Sequence, residues 1–241
     1  MGTAIGIDVR DPDVERPALE PVFDWLRSVD ERFSPYKPDS EVSRLIRGEI
    51  QEANASRDLA DVLGLCEGLR TLTGGYFDIR RHRPDGRPDP TGLVKGWSVE
   101  RAAAMLDLAG AQDFTINAGG DVVARGGAEP GKPWRVGIRH PREADKVAAV
   151  LEVRDLAVAT SGSYERGEHI VDPHTGAAPD GLLSITVVGP SLTYADAFAT
   201  AAFAMGRDGI AWVVSQSGYG AYAITADDRA IWTPVVGRLL T

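Results

Sequence analysis

Asp196 and Thr200 stand four residues apart in the run SLTYADAFATAAFAMG, and Thr193 lies one turn earlier. If the run is helical, the three share one side, because residues three and four apart stack above one another. A carboxylate and a hydroxyl at that spacing near a helix N-terminus can hold a hard cation against a phosphate. A plainer account fits the same letters: Thr193-x-x-Asp196 has the form of a capping box, and Thr200 can bond back to a carbonyl. Lys95 poses a second question. It falls at the start of another helix-like run, GLVKGWSVERAAAML, where the macrodipole favours an anion. Either Lys95 and the free N–H groups bind an anionic ligand together, or the lysine points into solvent at a cost of roughly a few tenths of a kcal/mol.

These residues need elements to hold them. Ile5, Ile7 and Val9 alternate as in a strand, and Asp11-Pro12 ends it. Pro17 suits the first turn of a helix with the apolar stripe Leu19, Val22, Phe23, Leu26 and Val29. Pro35 and Pro38 impose an extended loop, Ser40 can cap a short helix, and Ser56 a longer one burying Leu59, Val62, Leu65, Cys66, Leu69 and Leu72. Residues 79–91 form a polar, proline-rich loop or lid, in which His82 reads as solvated charge. Another helix, opened by Gly92, carries Val99, Ala102, Ala103, Met105 and Leu106 and stops near Gly110.

After residue 110 the chain reads as short strands and turns: FTINAGGDVVARG, then 135–138, 148–153, 157–160, 184–188, 219–225 and 231–235. Ser191 or Thr193 can cap the helix that holds Asp196, Gly206 can end it, and a second helix over 209–217 follows. Hairpin-like strand connections with helices inserted in groups predict an α+β fold built on an antiparallel sheet. A helix-rich part, 1–110, with the N-terminal strand and the loops, would precede a sheet-rich part, 111–241, although the two can equally form one domain. Asp121, directly after Gly119-Gly120, reads chiefly as a tight-turn residue, and Asp172 as a turn acceptor or an orienting group.

Composition bounds the partners. A net charge of −9 over 241 residues argues against a nucleic-acid or anionic-membrane surface and makes a divalent cation a plausible helper for an anionic ligand. The single cysteine, Cys66, excludes an internal disulfide and reads as a buried structural thiol. Neither an export signal nor a run long enough to span a bilayer is visible, so a cytosolic protein without stable membrane insertion is the expectation. No G-x-G-x-x-G lies between a strand and a helix, which disfavours a dinucleotide-dependent oxidoreductase.

The ordered set MGT, FSPYKPDSEVSRL, TGGYFD, DPTGLVKGW, INAGGDVVARG, VATSGSYERGEHIVDPHTG and TYADAFAT resembles the ApbE family of FAD:protein FMN transferases over nearly the whole chain. Each motif alone is weak, but seven in this order are not chance. The resemblance implies a T-fold-like antiparallel sheet with packed helices, Mg2+ as cofactor and FAD as substrate. It also implies transfer of FMN to a Thr or Ser hydroxyl of an unidentified acceptor protein, with release of AMP. Some members hydrolyse FAD to FMN and AMP instead, and a non-catalytic flavin-binding protein is a further reading. Carried over by position, Asp196 and Thr200 match the family's metal-binding pair and Gly92 the residue offering a carbonyl; Thr193 stands where some members are acidic. Flavin and nucleotide contacts would fall on Met1, Tyr36, Tyr76, Phe77, Asp78, Asp89, Lys95 and Ile170.

The chemistry suits these types. Breaking a pyrophosphate develops negative charge, which a magnesium ion and Lys95 can neutralise. The attacking hydroxyl or water wants a base with a pKa near neutrality, and His169 in the HIVDP run is the candidate, with a structural role as its alternative. His140 and His174 read as structural. Two departures from the family stand out. Pro90 and Thr91 replace residues of the usual glycine-rich approach to Lys95, and the segment between Asp78 and Asp89 is much shorter than usual.

Overall fold

The structure, a computed structural model, describes residues 3–81, 85–143, 145–163 and 170–241. Strand β1 (Ile5–Val9) leads through a 3-10 turn at Arg16–Leu19 into helix α1 (Glu20–Phe33), whose spacing buries Val22, Leu26, Val29 and Phe33. The caps fall where the serines suggest. Ser40 Oγ accepts the Ser43 N–H at 3.0 Å to start α2 (Glu41–Arg47), and Ser56 Oγ accepts the Leu59 N–H at 3.4 Å to start α3 (Arg57–Leu72). Leu72, expected on the buried side, ends that helix exposed. Helix α4 (Thr91–Leu108) buries nine of its residues, Gly96 and Trp97 among them.

The remaining elements are β2 (Phe114–Ala118), β3 (Asp121–Arg125), β4 (Trp134–Arg139), β5 (Val147–Val153), β6 (Leu156–Gly162) and β7 (Leu182–Gly189). Then come α5 (Leu192–Ala204), α6 (Asp208–Ser215), β8 (Gly220–Thr225), β9 (Ala230–Trp232) and α7 (Pro234–Gly237). The strand expected over 231–235 stops at Trp232. Pro234 has no N–H for a ladder and sits in the first turn of α7 instead.

Seven strands form one antiparallel sheet in the order β1-β2-β3-β6-β7-β8-β9, and β4 pairs with β5 in a separate ribbon. The sheet is covered on both faces, and strand alternation divides the two cores. Ala157, Ala159, Ile185, Val187, Ala221 and Ala223 belong with the helices. Val158, Val188, Tyr222 and Ile224 belong with Trp134, Ile138, Leu151 and Val153 of the ribbon. The result is the α+β fold with an antiparallel sheet that the sequence predicts. The helix-side core joins Val22, Leu59 and Val94 to Ile185 and Ala197, so packing is continuous across residue 110.

Candidate active site

Four elements bring the chemistry together: the first turn of α4, the start of β3, the end of β6 and the first half of α5. Asp89 prepares the α4 end. Its Oδ1 accepts the Thr91 N–H at 3.1 Å and the Thr91 hydroxyl at 2.7 Å, so a carboxylate meets the helix N-terminus. One turn inside, Lys95 turns toward carboxylates and is only 23% exposed. Its Nζ lies 2.5 Å from Asp121 Oδ2 and 3.6 Å from Asp196 Oδ1. The solvent-pointing account of this lysine fails.

Asp196 reaches the same turn from the other helix. Its Oδ2 accepts the Gly96 N–H at 3.2 Å, and its side chain is 6% exposed. That approach requires a glycine: a Cβ at Gly96 would stand 2.8 Å from the Leu192 carbonyl oxygen and 3.0 Å from Asp196 Cβ. One turn along α5, the Thr200 hydroxyl lies 3.4 Å from the Ser161 hydroxyl at the end of β6. Gly92 opens the turn that Gly96 closes, and a Cβ there would meet open space.

Thr193 takes a different place. Ser191, not Thr193, caps α5, its Oγ accepting the Tyr194 N–H at 3.4 Å. Glu100 Oε2 then accepts from the Ser191 hydroxyl at 2.6 Å, the Thr193 N–H at 2.8 Å and the Thr193 hydroxyl at 2.5 Å. The Thr193 hydroxyl therefore locks the start of α5 onto α4.

The turn reading of Asp121 is corrected. Gly119 and Gly120, with φ of 62° and 104°, make the two-residue hairpin by themselves. Asp121 begins β3 buried, and its Oδ1 accepts the Thr160 N–H at 3.2 Å. The signal was legible. Asp121 shares a strand face with Val123, which packs into the helix-side core, and a charge on that face needs a partner. Glu100 left no comparable signal.

Three of the expected flavin contacts, Tyr76, Phe77 and Asp78, form a second group in the TGGYFD turn. Asp89 donates its N–H to the Ile79 carbonyl at 2.8 Å, which ties the two ends of the short 79–89 segment. Asp78 Oδ1 accepts the Arg80 N–H at 2.8 Å, while Phe77 is buried and donates its N–H to Thr73 Oγ1 at 2.9 Å. The Tyr76 ring meets His174 edge-on at 4.6 Å, and the Arg81 guanidinium donates to the Pro173 carbonyl at 2.5 Å. An open groove of about 340 Å3 runs between Gly74, Gly75, Asp78, Arg81 and His174. His174, read as structural, thus lines a groove. Asp172 is a turn residue. Burial works to raise its pKa, but hydrogen bonds from the His174 N–H and the Thr175 hydroxyl bring it below the ordinary carboxylate value.

Ile170 is buried and lines a cavity of about 110 Å3 with Gly162, Ser163, Ala178, Pro179, Leu182 and Phe203. Tyr36 stands apart, 81% exposed on the loop between α1 and α2. Met1, His82 and His169 lie outside the described residues. Among the described residues, no group of three or more His, Cys, Asp or Glu could hold a metal ion, and no helix is long and apolar enough to cross a membrane.

An antiparallel sheet with one helical face, and a lysine and two buried carboxylates gathered where its inner strand β3 begins, defines an α+β protein with a charged, largely enclosed site. Comparison with known proteins narrows the class. A family model described as the ApbE family matches residues 1–83 and 79–223, and the chain belongs to that family. An FAD:protein FMN transferase of Haemophilus influenzae is 26% identical, with 86% of this chain and 78% of that protein aligned. Another from Escherichia coli strain K12 is 30% identical, over 74% of this chain and 55% of that protein, so the chain spans little more than half of it. The flavin transferase ApbE from Vibrio cholerae has a TM-score of 0.86 at 24% identity, covering 100% of this chain and 96% of that one. The ApbE protein of Thermotoga maritima gives 0.84 at 22% identity, covering 100% and 96%. These structures share the fold.

Proposed function

We propose that this chain transfers FMN from FAD to a Thr or Ser hydroxyl of an acceptor protein and releases AMP. The observation that carries the reading is the meeting of Lys95, Asp121 and Asp196 at the first turn of α4, with Thr200 and Ser161 one turn away. The relatives in Haemophilus influenzae and Escherichia coli carry that activity in their names.

In the reaction, the acceptor oxygen attacks the phosphorus on the riboflavin side of the pyrophosphate. The bond from that phosphorus to the bridging oxygen breaks, and AMP departs with the electron pair. The Lys95 ammonium neutralises charge on the departing phosphate, in a site whose partial burial strengthens the attraction. His169 is the proposed base for the hydroxyl proton. Asp78 lines the open groove, with Tyr76 packed on the groove residue His174, and the flavin would lie on that side; Asp89 and Ile170, the latter on a separate small cavity, are further proposed contacts. Met1, Tyr36 and Phe77 complete the proposed flavin and nucleotide contacts.

The donors at α4 and α5 fit magnesium. Asp196, the Thr200 hydroxyl and the Gly92 carbonyl are hard oxygens, and magnesium needs few protein ligands when phosphate oxygens and water complete its shell. Bound there, it would act as a Lewis acid on the pyrophosphate. Thr193 serves this site by fixing α5 through Glu100.

Incubation with FAD, magnesium and a Thr- or Ser-bearing protein target of a family member should give a flavin-fluorescent band on a denaturing gel, with AMP released in equal amount. No band on any such target would count against the reading. A second reading, hydrolysis of FAD by water, draws on the short segment closed between Ile79 and Asp89, which changes the border along which an acceptor would dock. FMN and AMP released without any acceptor would favour it.

A further inference from the structure

Asp121 has no step of its own in the proposed reaction, yet it is the more deeply buried carboxylate facing Lys95, its side chain 2% exposed against 6% for Asp196. Its two oxygens do different work. Oδ1 accepts the Thr160 N–H of β6 at 3.2 Å, which fixes the carboxylate to the sheet. Oδ2 faces the Lys95 ammonium at 2.5 Å, a charge-assisted contact, whereas Asp196 Oδ1 lies farther off at 3.6 Å. A lysine stem is long and flexible, so its charge stays in one place only where something holds it. A carboxylate mounted on a strand start, directly after a two-glycine hairpin, is a rigid holder.

We infer that Asp121 is a positioning residue, which holds the Lys95 ammonium beside Asp196 where the pyrophosphate of a flavin dinucleotide docks. The inference rests on the FMN-transfer reading of this site. Charge already in place when the leaving phosphate becomes negative needs no reorganisation during the reaction, which is where such preorganisation gains rate. Asp121 thereby acts through Lys95 and touches neither FAD nor the acceptor.

Asp121→Asn tests this, because the amide oxygen keeps the shape and the acceptor for Thr160 while the charge is lost. The kcat for AMP release should fall about tenfold or more, with the KM for FAD changed by less than about threefold and thermal unfolding close to wild type. Lys95→Met should lose at least as much, and adding Asp121→Asn to it should cost nothing further, since no ammonium remains to be positioned. Losses that multiply in the double variant would overturn the inference. If Asn disturbs folding, Asp121→Glu decides: it keeps the charge, displaces the ammonium by one methylene, and should give the same non-multiplying loss. A readout without turnover separates this inference from the function. Labelling of Lys95 by an amine-reactive ester, without FAD and followed by peptide mass spectrometry, should run roughly threefold faster or more in Asp121→Asn. Faster labelling alongside a wild type that never turns over FAD would refute FMN transfer and uphold the pairing. Unchanged labelling would refute the pairing whatever the turnover.

Discussion

A carboxylate at 6% exposure in the apolar helix α5 would cost on the order of several kcal/mol if it lacked partners. Asp196 has the Gly96 N–H and the Lys95 ammonium, and both come from α4, the other helix of the site. Thr200 is the cheaper residue to question, since its hydroxyl meets Ser161 at the long distance of 3.4 Å. Thr200→Val removes one oxygen at constant shape. It should raise the magnesium concentration for half-maximal AMP release by about tenfold, and an unchanged magnesium titration would remove Thr200 from the ligand set. Cys66 carries the opposite expectation. Burial, and then the Asp89 carboxylate, push its thiol from 9.0 up to about 12. The folded chain keeps that proton where the unfolded chain has released it, so this group's contribution to stability falls as pH rises above 9.0. Iodoacetamide in mildly alkaline buffer should leave native Cys66 unmodified and alkylate it only after denaturation; rapid native alkylation would contradict its burial.

The crossing of α4 on α5 is set by Gly96. A methyl group there meets the Leu192 carbonyl at 2.8 Å, and a backbone atom in a helix cannot step aside. Gly96→Ala should therefore lower stability by about 1–3 kcal/mol in denaturant unfolding and cut activity, because it pushes Asp196 away from Lys95. Gly92→Ala, with open space around its Cβ, should leave stability unchanged or slightly higher; equal losses in both variants would show that the crossing is not what Gly96 protects. Helices and caps at this scale were legible in the sequence, since Ser40, Ser56 and Ser191 cap by local geometry. The carboxylate of Glu100 was not. It lies 91 residues from Ser191, and only the packing of two helices reveals that it anchors the start of α5. Asp121 falls between these cases: its strand face announced a buried charge, but its partner Lys95 sits on a different element.

At the scale of the whole molecule, the antiparallel sheet was readable from period-two alternation at β1 and the hairpin glycines. The central strands β6 to β8 are buried on nearly every residue of both faces, so alternation alone cannot say that a ribbon covers one and helices the other. Because the helix-side core runs without a break past residue 110, we expect guanidinium unfolding to give one transition, coincident by tryptophan fluorescence and far-UV circular dichroism. Two separated transitions would support a division into helix-rich and sheet-rich units. The arrangement places the ends of two inner strands and the starts of two helices around a single position, and the account depends on a cation joining a flavin dinucleotide to it there. Calorimetry of FAD binding, with and without magnesium, on the wild type and on Asp196→Asn tests this most directly. The account predicts a magnesium-dependent gain in affinity for the wild type that disappears in the variant. The same magnesium dependence in both proteins would contradict it.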